Sequence, residues 1–300
     1  MSPSAKGLFI CAILFSHLSI AQNTIAIPDS GWRLWIDREA SWENDTIYLP
    51  EEVNLARLPM NPPTGGWKSL NDSAGISVSL PSTVEEHYWG IAGFRNYKDE
   101  YFYEDQDSLV KNGSYLGVSW WWCNVDVPKN FQGKKVILFV RGARLRAEIY
   151  WNEKLVGYNI ITEISFTCDV SKAVEPGKKN VLAIRITNPG GRLDWLDTQL
   201  MSWGRTDQKF HKSHGFGGLD RGLQLSAHDS VYLDNVWILN TPRPRKINVH
   251  SPIINTLAYS AEARVRLEIL DPNVPGKICA SQEKKIQLAA SGETDFNADY

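Results

Sequence analysis

With 300 residues, 43% of them apolar and 11% aromatic, the chain can bury one sizeable all-β core and a smaller second one, which excludes a disordered protein. The 32 Lys and Arg against 34 Asp and Glu leave a net charge of -2, with no basic stripe and no block of like charge. Nucleic-acid binding and electrostatic attachment to a membrane surface are thereby excluded as organising functions.

The first segment carries a lone Lys6, an apolar run over residues 7–20 and the small-residue site Ser19-Ile20-Ala21 before Gln22. This predicts an export signal over residues 1–21 and a secreted or periplasmic protein, the alternative being an uncleaved anchor. The run is too short for a spanning helix. Residues 8–10, ahead of Cys11, lack the small residue of a lipid-attachment site. Without this segment three cysteines remain, Cys123, Cys168 and Cys279. Buried thiols acting as small hydrophobes are the expected state, and a Cys123–Cys168 bridge is the alternative. Asn44, Asn71 and Asn112 open glycosylation acceptor patterns that matter only in a eukaryotic secretory route.

Beyond residue 22 helical periodicity gives way to short β-rich runs separated by Gly, Pro, Asn and Asp, the pattern of a sandwich or barrel. Trp120, Trp121 and Trp122 alternate along one strand, so at least one side of that run is core. Residues 136–140 are apolar on both faces and predict a buried strand. Residues 149–151 and 155–157 form a hairpin across Asn152-Glu153-Lys154. Residues 169–173 are expected to hold one helical turn, and Pro176-Gly177 another turn. The strand over 181–186 is expected to expose Arg185. Asn240 to Arg245, with Pro242 and Pro244, reads as an extended linker, and a second domain is expected to start near Lys246. There, Ala263, Val265, Leu267 and Ile269 alternate with charged residues as a half-buried antiparallel strand does.

These pieces resemble the sugar-binding β-sandwich of family 2 glycoside hydrolases. The resemblance is carried by the strand 136–142, the aromatic before the Asn152 turn, Leu155-Val156-Gly157-Tyr158, the Phe166 to Val170 segment, and Pro176-Gly177 through Asn188. Ser79 to Val84, Gly117 to Trp122, Gly217-Gly218-Leu219 and an exit strand over Val231 to Val236 extend it, so that it covers about residues 30 to 240. Trp122, where the family has an arginine, and Leu223 to Leu225 depart from the pattern. The resemblance implies an all-β fold: a jelly-roll, galactose-binding-like sandwich over residues 22–240, then a linker and incomplete immunoglobulin-like sandwich over 241–300. The family's catalytic barrel falls outside these residues, and the last ten suggest a truncated gene product or fragment.

Retaining glycosidases need two carboxyl groups about 5 Å apart, one protonated and one ionised. Asn152-Glu153 mimics the Asn-Glu pair of the family's barrel but falls in a hairpin turn, and Glu85-Glu86 would diverge on a strand. No residue of the chain is therefore expected to be catalytic. The resemblance instead implies a substrate-binding role for the stretch after Asn188. Asp197 ranks first and Asp194 second, with Trp195 beside them: a carboxylate accepts two sugar hydroxyls, and an indole stacks on the ring's C–H face. The contrasting reading is a polar loop whose Trp plugs the sandwich. His211 and His214 lack companion ligands for a metal, and the acidic residues 99–107 lack the glycine-punctuated loop of a calcium site. No metal or cofactor is expected.

The functional expectation is the non-catalytic N-terminal part of a family 2-like hydrolase acting on β-galactosides, mannosides or glucuronides, partnered by carbohydrate and by a catalytic barrel. The alternative is a stand-alone secreted carbohydrate-binding or adhesion module.

Overall fold

A computed structural model describes residues 23–41, 53–88, 115, 117–160, 164–188, 217–219, 221–243 and 246–299. Its first twelve strands are β1 (Asn23–Ile27), β2 (Trp32–Asp37), β3 (Ile76–Val78), β4 (Ser82–Thr83), β5 (Gly117–Asp126), β6 (Lys135–Val140), β7 (Arg146–Trp151), β8 (Lys154–Asn159), β9 (Phe166–Asp169), β10 (Lys179–Asn188), β11 (Gly218–Leu219) and β12 (Leu223–His228). A short helix, α1 (Val84–Tyr88), follows β4. The antiparallel sheet β3-β2-β5-β10-β7-β8 packs against the antiparallel sheet β1-β12-β6-β9. Trp32, Leu34, Trp121, Ile149, Trp151 and Ile184 from the first meet Val136, Leu138 and Leu225 from the second in one buried cluster. Fully burying a Leu or Ile side chain contributes about 1.5–3 kcal/mol, so this interlayer cluster is the main source of stability.

The outer face of the six-stranded sheet is covered as well. Segment 53–75 lies over it and packs Trp67 and Leu70 on Trp120, Trp122 and Tyr150. The Trp67 ring stands edge-on to Trp120 at 5.8 Å and to Tyr150 at 5.0 Å. Trp121 therefore faces one core while its two neighbours face another, so both sides of the tryptophan run are buried. This cover also changes the expectation for Arg185, which is 2% exposed because the segment seals it beside Glu148. Lys179 and Val181, at the start of that strand, are its residues left to solvent. In β6 the reverse holds: Ile137 and Phe139 are only half-buried, and among the described residues no segment is packed over their face of the four-stranded sheet as 53–75 is over the other.

Turn chemistry follows the sequence closely. Asn152 and Glu153 both adopt positive φ, 48° and 67°, the two-residue turn that matches strand twist in a hairpin. Gly177 sits at φ 77° in the turn before β10. Residues 170–174 make a single helical turn through Val174 N–H to the Val170 carbonyl at 2.9 Å. Cys123 of β5 and Cys168 of β9 lie in opposite sheets, both buried, both free thiols.

The remaining strands are β13 (Val231–Leu233), β14 (Trp237–Asn240), β15 (Ile247–Asn255), β16 (Ala261–Leu270), β17 (Ile278–Leu288) and β18 (Gly292–Asp299). β15 is central, pairing with β13 and β14 along one edge and with β18 along the other. The hairpin β16–β17 packs on that sheet through Val249, Ile253, Val265, Leu288 and Phe296. The sequence reading placed residues 231–236 as the exit strand of the larger sandwich. Of these, Val231–Leu233 pair with β15 instead, because β12 already completes its sheet with β1 and β6. Asn240 pairs with Ile247, so the proline-containing stretch between them is the loop of a hairpin, not an extended linker.

Candidate functional site

At one end of the six-stranded sheet β2, β8 and β10 finish and β5 and β7 begin: Asp37 pairs with Val118, Asn188 with Gly117, Thr187 with Arg146 and Ala147 with Asn159. Polar side chains concentrate here. On the covered face, Arg185 Nη1 donates to Glu148 Oε1 at 2.9 Å and to Thr187 Oγ1 at 3.1 Å, and Arg146 Nη2 donates to the same Thr187 oxygen at 3.1 Å. Tyr150 donates its phenol proton to Glu148 Oε2 at 2.7 Å, and the Asn61 amide reaches both carboxylate oxygens at 3.1 Å. Burial, and next the charge of Glu148, push the Tyr150 phenol pKa up, so it stays a donor. Asp37 Oδ2 accepts from Thr64 N–H at 2.9 Å and from the Trp120 indole at 3.2 Å.

This network clamps segment 53–75 to the sheet. Both Glu148 oxygens are occupied by cationic or neutral donors, which suits it to holding structure and not to moving protons.

On the interior face of the same end, the Asn188 side chain is buried and its amide has no hydrogen-bond partner among the described residues. Gly217 comes so close that a Cβ there would stand 3.3 Å from Asn188 Nδ2. At Gly218 a Cβ would stand 2.3 Å from the Ser82 carbonyl oxygen, which accounts for the paired glycines of the motif. That backbone is stitched to Arg144 by two hydrogen bonds of 2.9 and 3.0 Å, while the Gly217 carbonyl accepts from Val84 N–H at 2.8 Å. Tyr115, its phenol pushed up to about 12 mainly by burial, closes the floor.

The tempting carboxylates have structural occupations. Glu85 and Glu86 sit on α1, where Glu85 accepts from Tyr115 N–H at 2.6 Å and Glu86 from Ser82 Oγ at 3.0 Å. The Ser82 hydroxyl also meets His87 Nε2 at 2.8 Å. Both partners converge on one buried hydroxyl, so neither orients the other as a nucleophile–base relay requires. Asn152 and Glu153 lie at the opposite end of the sheet. There Asn152 accepts from Val181 N–H at 2.9 Å and donates to Asn180 at 2.8 Å, tying the hairpin to the next turn.

Asp194, Trp195 and Asp197 follow Asn188 in sequence and lie outside the described residues, as do His211, His214 and the acidic stretch 99–107. Sequence reasoning missed the Arg146–Glu148–Arg185 cluster. Its only signal was two charges alternating with apolar residues at the start of a strand that is otherwise apolar.

No family model matches the chain. By sequence it is similar to a β-glucuronidase of Formosa agariphila, 22% identical over 249 residues that make up 79% of this chain and 24% of the relative. A β-glucuronidase of Paenibacillus borealis is 23% identical over 141 residues, 44% of this chain and 23% of the relative. Among solved structures, a β-glucuronidase from glycoside hydrolase family 2 superposes with a TM-score of 0.61 at 16% identity, over 93% of this chain and 26% of its own. The chain thus spans about a quarter of the length of the relatives it matches, and it has the β-sandwich fold of a part of family 2 glycoside hydrolases. The resemblance read from its motifs is found again in both comparisons. Among the described residues no helix is long and apolar enough to cross a membrane.

Proposed function

We propose that the chain is the non-catalytic sugar-binding and immunoglobulin-like portion of an exported family 2-like glycoside hydrolase, with a β-glucuronide as the favoured substrate of the whole enzyme. The observation that carries this reading is the polar end of the larger sandwich. β10 finishes there at Asn188, beside Arg146, Glu148 and Thr187, so the stretch bearing Asp194, Trp195 and Asp197 departs from a rigid, clamped platform. A stretch that follows so anchored a strand end in sequence can lend a carboxylate to a sugar held by a neighbouring barrel. The β-glucuronidase names of the two sequence relatives favour the uronide over galactoside or mannoside.

The test is a chimera in which this chain replaces the matching part of the Formosa agariphila relative. Turnover of an aryl β-glucuronide by the chimera, with none by the chain alone, is the expected result. Asp197→Ala should then lower kcat/KM by removing charge-assisted hydrogen bonds worth about 1.5–3 kcal/mol each, with Tm almost unchanged. Trp195→Ala should lower both. Unchanged kinetics in Asp197→Ala would return the loop to a packing role, and turnover by the chain alone would refute the non-catalytic assignment.

A further inference from the structure

The solvent face of the sheet β14-β15-β18 is built unlike any other exposed face of the described residues. By register, four rows cross it: Leu239, Asn248 and Asp299; Trp237, His250 and Asn297; Pro252 with Asp295; and Ile254 with Glu293. Trp237 is 45% exposed although it is an indole on a paired strand. One of its faces stacks on the His250 ring, with centroids 5.2 Å apart and planes 21° from parallel, and the other is left to solvent. His250 is held in turn by Asp295 Oδ1 at 3.3 Å, and Asn248 Nδ2 donates to Asn297 Oδ1 at 2.6 Å and to Asp299 Oδ1 at 2.9 Å.

We infer that this face is a binding platform for an uncharged polysaccharide, with the Trp237 indole stacked on a sugar ring and the Asn/Asp rows taking its hydroxyls. Three features point to that ligand. The indole is braced by His250, so presenting its free face costs little side-chain entropy. The amide and carboxylate groups are already oriented by one another, leaving the second oxygens of Asp295 and Asp299 and the Asn297 amide to accept from and donate to hydroxyls. Strand spacing of about 4.8 Å sets neighbouring polar groups at intervals that suit successive hydroxyls of an extended glycan. Charge decides the class: these rows hold three carboxylates and no Lys or Arg, so a polyuronate is repelled and a neutral chain is not. The platform would hold a polymer near the enzyme while the other sandwich serves the reacting sugar. It rests on the carbohydrate-directed reading above, although it uses none of the same residues.

Affinity electrophoresis of the full chain in gels containing mixed-linkage β-glucan, galactomannan or polygalacturonate tests it. Retardation by at least one neutral glycan and none by polygalacturonate is expected. Trp237→Ala should weaken binding about tenfold or more, Trp237→Phe less, and Asp295→Ala several-fold, with thermal unfolding little changed because both side chains stand on the surface. Absence of retardation in every gel, equal retardation by polygalacturonate, or binding that survives Trp237→Ala would overturn the inference. Binding that survives Trp237→Ala yet is lost in Asp197→Ala would overturn it while keeping the sugar-binding reading of the larger sandwich. The chimera's turnover decides the hydrolase assignment separately.

Discussion

Gly157 of β8 lies directly against Cys168 of β9: a Cβ at Gly157 would stand 2.2 Å from the Cys168 Sγ and 3.2 Å from Ile149 Cγ1. The two strands belong to different sheets, so this is where the edges of the sandwich close on each other. The glycine of the Leu155-Val156-Gly157-Tyr158 motif is needed for space, since its φ is not in the left-handed region.

Gly157→Ala should therefore destabilise the chain by about 1–3 kcal/mol through overpacking. Cys168→Ala in the same chain should recover part of that loss, making the double variant more stable than the sum of the singles implies. Denaturant unfolding of the four proteins measures the coupling, and strict additivity would show that β8 and β9 do not touch at this point.

Removing the Glu148 carboxylate should be the costliest single change in the clamp. Glu148→Ala leaves Arg185 buried without its nearest anion, a loss of about 3–5 kcal/mol. Glu148→Gln, which keeps acceptors for Asn61 and Tyr150, should cost less. Chemical denaturation at neutral pH ranks the two, and a Gln variant as unstable as the Ala variant would count against the network as drawn.

The sandwich should weaken in alkali. Burial holds the Cys168 thiol at about 12 against an ordinary value of 9.0, and Tyr115 at about 12 against 10.0. Above about pH 9 the unfolded chain has lost protons that the folded chain retains, so stability is complete below that pH and falls progressively toward pH 12. Cys123 shifts in the same direction. Tm recorded from pH 8 to pH 11 should decline, and peptide mapping after maleimide treatment at pH 8 should find Cys279 labelled while Cys123 and Cys168 are protected.

A protease should cut in the loop between Asn240 and Ile247 and yet leave the products together, because β14 remains hydrogen-bonded to β15 across the cut. Size-exclusion chromatography of the nicked chain should show one peak. By the same reasoning a fragment ending at Asp229 should be more soluble than one ending at Asn240. The longer fragment carries Val236, Trp237, Ile238 and Leu239 on a strand deprived of its partner.

The legible parts of this structure were local. The Asn152 turn, the Pro176-Gly177 turn and the alternation over residues 263–267 each state their geometry within a few residues, through positive φ, ring constraint or period-two burial, whereas Ile269, expected on the buried side, is exposed where the β16–β17 register shifts. What escaped depended on distant chain. Arg185 looked solvent-facing because nothing near it announces that residues 53–75 will cover its side of the sheet. The short strands β13 and β14 look the same whichever sheet takes them, so the prolines drew a boundary where the fold has a hairpin. At the candidate site, the motif named Asn188 and the glycine pair, but their meeting at one end of the sandwich and the charged clamp on the other face of that end needed cross-strand register to be seen.

The sealed pair of Arg185 and Glu148 has a consequence for how such a chain can drift. Glu148 is the carboxylate that both Arg185 and Arg146 face, at 2.9 and 3.8 Å. An apolar exchange of Arg185 and Glu148 therefore removes the anion beside Arg146 as well, and comes close to neutral only when Arg146 changes with them. Divergence here should therefore proceed by joint replacement of all three side chains or not at all, and a lineage that lost Glu148 alone would be expected to have lost the cover that residues 53–75 form along with it.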